Sequence, residues 1–253
     1  MQISKYLIGF MFSLMAAQVA YAVDYEEDFE DGLAQDWEAQ TPAQWQIKGR
    51  ATANRSYQAS DAENDTVMVS TYAGAEYADL DFRVSARNND VYAAYVLVRA
   101  TPDFYHLAGI EKGSGYAFGF SAECNGVLPS GYNVIKLTNG VYENIQPWTP
   151  SDALRCDTKG NRIRVVAKGS VLKFYVNNKL VYKFTDAAPL PAGRVGLVGY
   201  SAQPFPTIHR FDNVYVTDLS APTPSAADND EVSAYQRALN EKPLNIGQTE
   251  TLK

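Results

Sequence analysis

Residues 24–219 alternate apolar and polar side chains with period two, in short runs separated by turn residues, and helical periodicity is almost absent there. Successive side chains of a strand point to opposite faces, so a chain of this kind hides its apolar side by pairing strands and stacking the sheets that result. Within 77–85, Ala78, Leu80, Phe82 and Val84 fall on one face and Asp79, Asp81, Arg83 and Ser85 on the other. That pattern predicts a half-buried antiparallel strand with its carboxylates on the wet side. Asn88-Asn89-Asp90 then turns the chain into the β-branched and aromatic run 92–100. Gly169-Ser170 separates 162–168 from 171–177, Asn177-Asn178 leads into 179–185, and Asn139-Gly140 lies between 134–138 and 141–145. Asparagine and glycine tolerate the left-handed backbone that tight turns demand, so these are successive hairpins. The predicted fold class is all-β, a two-sheet antiparallel jelly-roll sandwich.

The two ends read differently. Residues 1–22 carry Lys5, an apolar stretch over 6–17 and the small-x-small triplet Ala20-Tyr21-Ala22, the pattern of a signal peptide cut before Val23. The apolar stretch is shorter than the ~20 residues that a membrane span needs. A secreted or periplasmic protein is expected, with no membrane insertion after signal cleavage. From Ser220 to Ala227 the residues are small and punctuated by Pro222 and Pro224. Beyond them Asp228 and Glu231 have capping-box spacing, and Val232, Tyr235 and Leu239 share a helical face. The organisation is therefore a signal over 1–22, one β domain over 23–219, and a 220–253 segment that is a linker followed by a short helix or a disordered tail.

Charge and cysteine content narrow the partners. The 22 basic and 29 acidic residues give a formal charge of −7 with no basic cluster. Nucleic acid and anionic lipid are poor partners for such a surface, since both are bound through clustered cations. In an oxidising compartment Cys124 and Cys156 pair, a crosslink worth roughly 3 to 4 kcal/mol in the chain-entropy relation. The rival readings are a zinc set or a nucleophilic thiol, and for either the chain offers only His106 and His209.

The order of the pieces carries a resemblance. Asp28-Phe29-Glu30-Asp31-Gly32 is followed by Trp37 and Trp45, then by the run 92–100 with Asp103-Phe104-Tyr105. Arg162-Ile163-Arg164-Val165 and the run 172–178 come next, then Gly193-Arg194-Val195-Gly196-Leu197 and Phe211-Asp212-Asn213-Val214-Tyr215-Val216. Over 24–219 this succession resembles the concanavalin A-like lectin/glucanase superfamily, in particular its laminin-G-like and DUF1080-like bacterial branch. The resemblance implies two sheets, one of them concave, with the first and last strands adjacent. It implies no single function, because members include sugar-binding modules, glycoside hydrolases and adhesion domains. It also implies a structural Ca2+ on the convex side, held by Asp212 with oxygens near Glu30, Asp31 and Gly49, a donor set suited to a hard cation. The other reading of these residues is that Asp212 caps a turn and the acidic stretch 26–31 is a solvated face.

Retaining glycoside hydrolysis needs two carboxyl groups about 5 Å apart. The glucanase branch supplies them from a Glu-x-Asp-x-x-Glu strand; in the nearest cluster here Glu76 has the wrong parity, and Asp79 and Asp81 read as the wet face of an ordinary strand. His-Glu-x-x-His, Gly-x-Ser-x-Gly and phosphate-loop patterns do not occur. Sugar recognition uses aromatic rings that stack on pyranose faces and polar side chains that bond hydroxyls. The chain has 17 Tyr and 3 Trp for that purpose. By alternation Arg99 shares a strand face with Tyr95 and Leu97, and the resemblance implies an arginine facing the concave cleft. Tyr105 follows on the next strand, and the segment 123–148 would rim the cleft with Tyr132 and Trp148. The expected function is an exported, non-catalytic carbohydrate-binding domain whose partner is a polysaccharide or other glycan. The alternatives are a glycoside hydrolase or 3-keto-glycoside-acting enzyme of the DUF1080-like kind, and a structural or adhesion domain that binds protein.

Overall fold

The structure, a computed structural model, describes residues 24–50, 53–61, 66–88, 92–107, 109–122, 130–156, 160–201 and 207–220. The signal segment and the expected C-terminal helix lie outside the described residues. The strands are β1 (Tyr25–Glu27), β2 (Trp37–Ala39), β3 (Trp45–Arg50), β4 (Ala53–Asp61), β5 (Thr66–Tyr72), β6 (Leu80–Asn88), β7 (Ala94–Ala100), β8 (Tyr105–Leu107) and β9 (Ile110–Lys112). They continue as β10 (Gly115–Ser121), β11 (Gly131–Thr138), β12 (Val141–Pro150), β13 (Asn161–Lys168), β14 (Val171–Val176), β15 (Lys179–Thr185), β16 (Arg194–Ser201) and β17 (Thr207–Asp218). The first sheet runs β15-β14-β13-β6-β17-β4-β3, with β1 also on β17, and the second runs β12-β11-β10-β7-β16-β5-β2. β8 and β9 form a separate small hairpin. The chain is thus an all-β sandwich of two large antiparallel sheets.

Alternation accounts for the core. Tyr116, Phe118 and Phe120 of β10 and Leu172, Phe174 and Val176 of β14 are all fully buried between the sheets. The Phe118 and Phe174 rings meet with centroids 5.2 Å apart. Burying one such side chain contributes about 1.5–3 kcal/mol, and this cluster is what couples the two sheets. The turns follow their residue types: Asn139 and Gly140 have φ of 50° and 77°, and Asn177 and Asn178 have 49° and 68°. Positive φ at both central positions is the type I′ signature, whose twist matches the flanking strands.

The termini of the domain close on each other. Residues 207–211 of β17 pair with β4, while Tyr25↔Val216 to Glu27↔Val214 pairs β17 with β1. Asn213, with φ 50°, sits in the register break of β17 against β6. The outward side of β6 departs from expectation. Asp81 is only 7% exposed, gripped by Arg83 at 2.7 Å and Arg164 at 2.6 Å. Burial alone would raise its pKa, but the two guanidinium groups overcome that and hold the carboxyl below its usual range. The second acid expected on the wet side, Asp79, accepts the Gly169 backbone N–H at 2.7 Å.

Candidate functional site

The outer face of the second sheet, turned away from the core, divides into two halves. Cross-strand partners share a face, so the registers Gly119↔Tyr95 and Gly119↔Asn133 put Tyr95, Gly119 and Asn133 in one row. Their neighbours Phe118 and Phe120 point inward to the core. A Cβ built on Gly119 would meet Asn133 Oδ1 at 2.1 Å and Tyr95 Cε1 at 2.3 Å, so both side chains lean over this glycine and need it bare. In the next row Gly131 lies under Trp148, whose indole Nε1 would be 2.8 Å from a Cβ there. Trp148 is 40% exposed on the edge strand β12. Tyr200, opposite Val67 and in edge contact with Tyr92 at 5.3 Å, completes an aromatic shelf on a glycine floor. Among the described residues Asn133 Oδ1 and Ser121 Oγ have no hydrogen-bond partner. Burial pushes the Tyr95 phenol up to about 12, opposed by a hydrogen bond from Asn133.

The other half of the face is apolar. Val67, Val69, Leu97, Ala117, Ile135, Leu137 and Val198 form a second buried cluster with Ala100 and Phe104. The β8–β9 hairpin covers it, with Tyr105 and Leu107 packed on top. Gln40 fastens the entry to that hairpin by donating to the carbonyls of Pro102 and Phe104 at 3.0 and 2.8 Å. His106 stacks on Tyr142 at 4.9 Å and lies 3.4 Å from Glu111. Burial lowers its pKa and Glu111 only partly restores it, so the imidazole is neutral at pH 7.

The side chains expected from sequence are thereby separated. Tyr95 and Trp148 share the shelf, and Tyr105 belongs to the covering hairpin. Tyr132 points inward: it is 6% exposed and donates to the Val181 carbonyl at 2.9 Å. It borders a different, open groove of about 490 Å³ at the sandwich edge, lined also by Ser130, Asp152 and Lys179. The placement of Arg99 beside Tyr95 and Leu97 is corrected. A bulge interrupts the β16–β7 register between Arg194 and Gly196, and Arg99 has φ 50°. One extra residue reverses the parity of the strand, so Arg99 turns inward while Ala100 takes the outer position. Its guanidinium donates to the carbonyls of Ala78 at 2.6 Å, Gly169 at 2.8 Å and Leu190 at 3.3 Å, and touches Asp79 at 3.4 Å. Nearby, Asp186 accepts from Tyr116 at 2.5 Å and pairs with Lys136 at 2.7 Å. These are ties between the two sheets. Asn133, Gly119 and Tyr200 were missed, and His106 was weighed only for zinc or a nucleophilic thiol; alternation sets Gly119 apart from Phe118 and Phe120, but only the strand register puts it beside Asn133.

The donors expected around calcium are engaged within the chain. Glu30 accepts the Arg55 backbone N–H at 3.0 Å through its carboxylate and Arg55 Nη1 at 2.8 Å through its carbonyl. Asp31 accepts from Leu33 N–H and the Gln35 amide within its own turn. Asp212 accepts the Asn213 N–H at 2.7 Å. Gly49 sits in a bulge against the Asn54 carbonyl. Among the described residues no three His, Cys, Asp or Glu side chains gather as metal ligands. Calcium takes six to eight oxygen ligands, carbonyls and waters among them; here the Arg55 guanidinium already holds the Glu30 carbonyl and brings positive charge to the loop, which opposes a cation there. Cys156 Sγ lies 3.9 Å from the Ala122 carbonyl. Cys124, two residues further on, lies outside the described residues.

No protein-family model matches this sequence, and no curated protein matches it. Solved structures do. The chain is similar to the carbohydrate-binding module CBM66 from Bacillus subtilis at 20% identity, over 72% of this chain and 96% of that one, with a TM-score of 0.50. It is similar to a Bacillus licheniformis β-glucanase at 13% identity, over 77% and 97% of the two chains, with a TM-score of 0.54. The VIP36 exoplasmic/lumenal domain in its Ca2+/Man2-bound form is 12% identical over 80% of this chain and 90% of that one, with a TM-score of 0.56. At such identities the likeness is one of fold. The two-sheet sandwich, the adjacent first and last strands and these neighbours together give the chain the concanavalin A-like lectin/glucanase fold.

Proposed function

We propose that the protein is an exported, non-catalytic carbohydrate-binding domain that lays a glycan on the shelf formed by Tyr95, Asn133, Trp148 and Tyr200. The observation that carries this is the row Tyr95–Gly119–Asn133 with Trp148 beside it over Gly131. Aromatic rings and a hydrogen-bonding amide on a glycine floor give a pyranose a stacking face and a partner for its hydroxyls. The outward positions of β7, β10, β11 and β16 around that row are filled by Tyr, Asn, Ser, Gly and aliphatic residues, where hydrolysis would place a pair of carboxylates. Recognition without cleavage suits that surface. A carbohydrate-binding module and a Man3GlcNAc-bound VIP36 domain among the neighbours support the reading, and the glucanase keeps hydrolysis as its competitor.

Export and the Cys124–Cys156 bridge belong to the same reading. The nearness of Cys156 Sγ to Ala122 supports the bridge, and an intact mass two daltons below the reduced chain would establish it. A glycan array followed by calorimetry tests the binding. Trp148→Ala, at an exposed position, should weaken a bound glycan at least tenfold by removing one stacking ring, with the circular dichroism unchanged. Silence of the wild type across plant, algal and bacterial polysaccharides would overturn the reading, and so would release of reducing sugar.

A further inference from the structure

Beside the shelf, beneath the β8–β9 hairpin, lies a pocket of about 210 Å³ lined by Val67, Ala117, Ile135, Val198, Phe104, Leu107, His106, Tyr95 and Tyr200. We propose that this pocket receives a single aromatic ring, a phenyl-sized aryl group with one hydrogen-bonding substituent, carried on the glycan that occupies the shelf. The attachment to a glycan rests on the function proposed above; the aromatic pocket stands on its own lining.

The floor is the first reason. Val67 and Val198 come from β5 and β16 on one side of β7, Ala117 and Ile135 from β10 and β11 on its other side, and all four are buried. Outward positions of a sandwich sheet ordinarily meet water and are polar. Here they are aliphatic, and the hairpin that covers them is built from strands of only three residues, leaving the space open.

Size and polarity decide what enters. An apolar cavity of ~150 Å³ takes up benzene, so this one holds an aromatic ring and a few more heavy atoms. A pyranose of similar volume would strand its hydroxyls against Val, Ile and Leu, at about 1–3 kcal/mol for each one left unpaired. An alkyl chain would lose several rotors on a flat sheet floor, which a rigid ring does not. The polar edge of the pocket matches one substituent. His106, whose Nδ1 faces the Glu111 carboxylate at 3.4 Å, and Tyr95 stand at that edge. Tyr95 borders both pocket and shelf, which puts the ring next to the sugar.

Carbon–proton methyl spectra of the full mature chain, titrated with methyl 4-hydroxybenzoate, test the proposal. The expected result is saturable upfield shifts of the Val67, Ala117, Ile135 and Val198 methyls from the ring current. Val198→Phe, which fills the pocket, should weaken them at least tenfold; if that variant fails to fold, Leu107→Trp on the hairpin fills the same space. Absence of saturable shifts at these methyls in the wild type would overturn the proposal, as would tighter binding of methyl hexanoate or undiminished shifts in a folded filled variant. A phenyl glycoside should bind more tightly than the free aryl ester, and equal affinity would refute the attachment to a glycan. Loss of that glycoside advantage in Trp148→Ala, with the aryl shifts intact, would support shelf and pocket together. Intact aryl shifts in a protein that binds no glycan would sink the shelf and leave the aromatic pocket standing.

Discussion

Replacing Arg99 by methionine discriminates most sharply between a clamp and a ligand-reading group. The guanidinium makes three hydrogen bonds to carbonyls, of Ala78, Gly169 and Leu190, and a contact with Asp79, while its side chain is 3% exposed. Hydrogen bonds to a charged donor are worth about 1.5–3 kcal/mol each. The Leu190 carbonyl is buried and would be left unpaired, whereas those of Ala78 and Gly169 are partly open and would recover water. Methionine retains most of the apolar stem, so packing changes little. The net loss should be about 3–5 kcal/mol, in the range for breaking a buried charged network. For a domain of this size each kcal/mol moves Tm by about 2–4 °C, giving a drop of roughly 6–20 °C by calorimetry or thermal circular dichroism. Glycan affinity, measured well below the new Tm, should stay within about twofold, since additivity holds for sites without shared partners. An unchanged Tm together with lost binding would refute the clamp and return Arg99 to the cleft.

Gly119→Val should cost about 1–3 kcal/mol by overpacking and abolish glycan binding, because the new side chain must displace Tyr95 and Asn133; retained affinity in calorimetry would show that the ligand binds elsewhere. Asp81→Asn should lose about 2–3 kcal/mol at pH 7 by the worth of its charge-assisted bonds. The folded carboxyl is held low by Arg164 and Arg83 against burial, so its stabilisation is full above the unfolded pKa near 4 and is lost as pH falls through the folded value. In urea melts from pH 7 to pH 3 the gap between wild type and variant should therefore shrink on acidification, and a constant gap would contradict the pairing. Excess EDTA should leave Tm unchanged, because Glu30 is already occupied by Arg55; a bound ion at a hundred times its Kd would add about 2.7 kcal/mol, and a fall of several degrees on chelation would reveal one.

Alternation along residues 24–219 determined the fold class, because period two has one physical meaning over short runs bounded by turn residues. The Asn-Gly and Asn-Asn turns were equally legible, since Asn and Gly tolerate positive φ at successive positions better than other residues. The adjacency of the first and last strands came through the resemblance and is realised in β1 on β17. Tyr95 and Trp148 could be proposed from residue type, but their convergence could not. It depends on the registers of β7, β10, β11 and β12 and on Gly119 and Gly131 leaving room beneath the rings. Arg99 shows why alternation runs out: one bulge inverted its face, and a bulge is an event of strand pairing that the residues of a single strand do not encode. Asp81 and Glu30 show the same for charge. Their partners Arg164 and Arg55 stand 83 and 25 positions away, and only the packed sheets bring them within hydrogen-bond distance, turning an apparent wet face and an apparent metal loop into internal ion and hydrogen-bond contacts. Local pattern fixes which residues face inward only where a strand runs without a bulge; which of them meet is a consequence of long-range pairing, and the site exists only at that level.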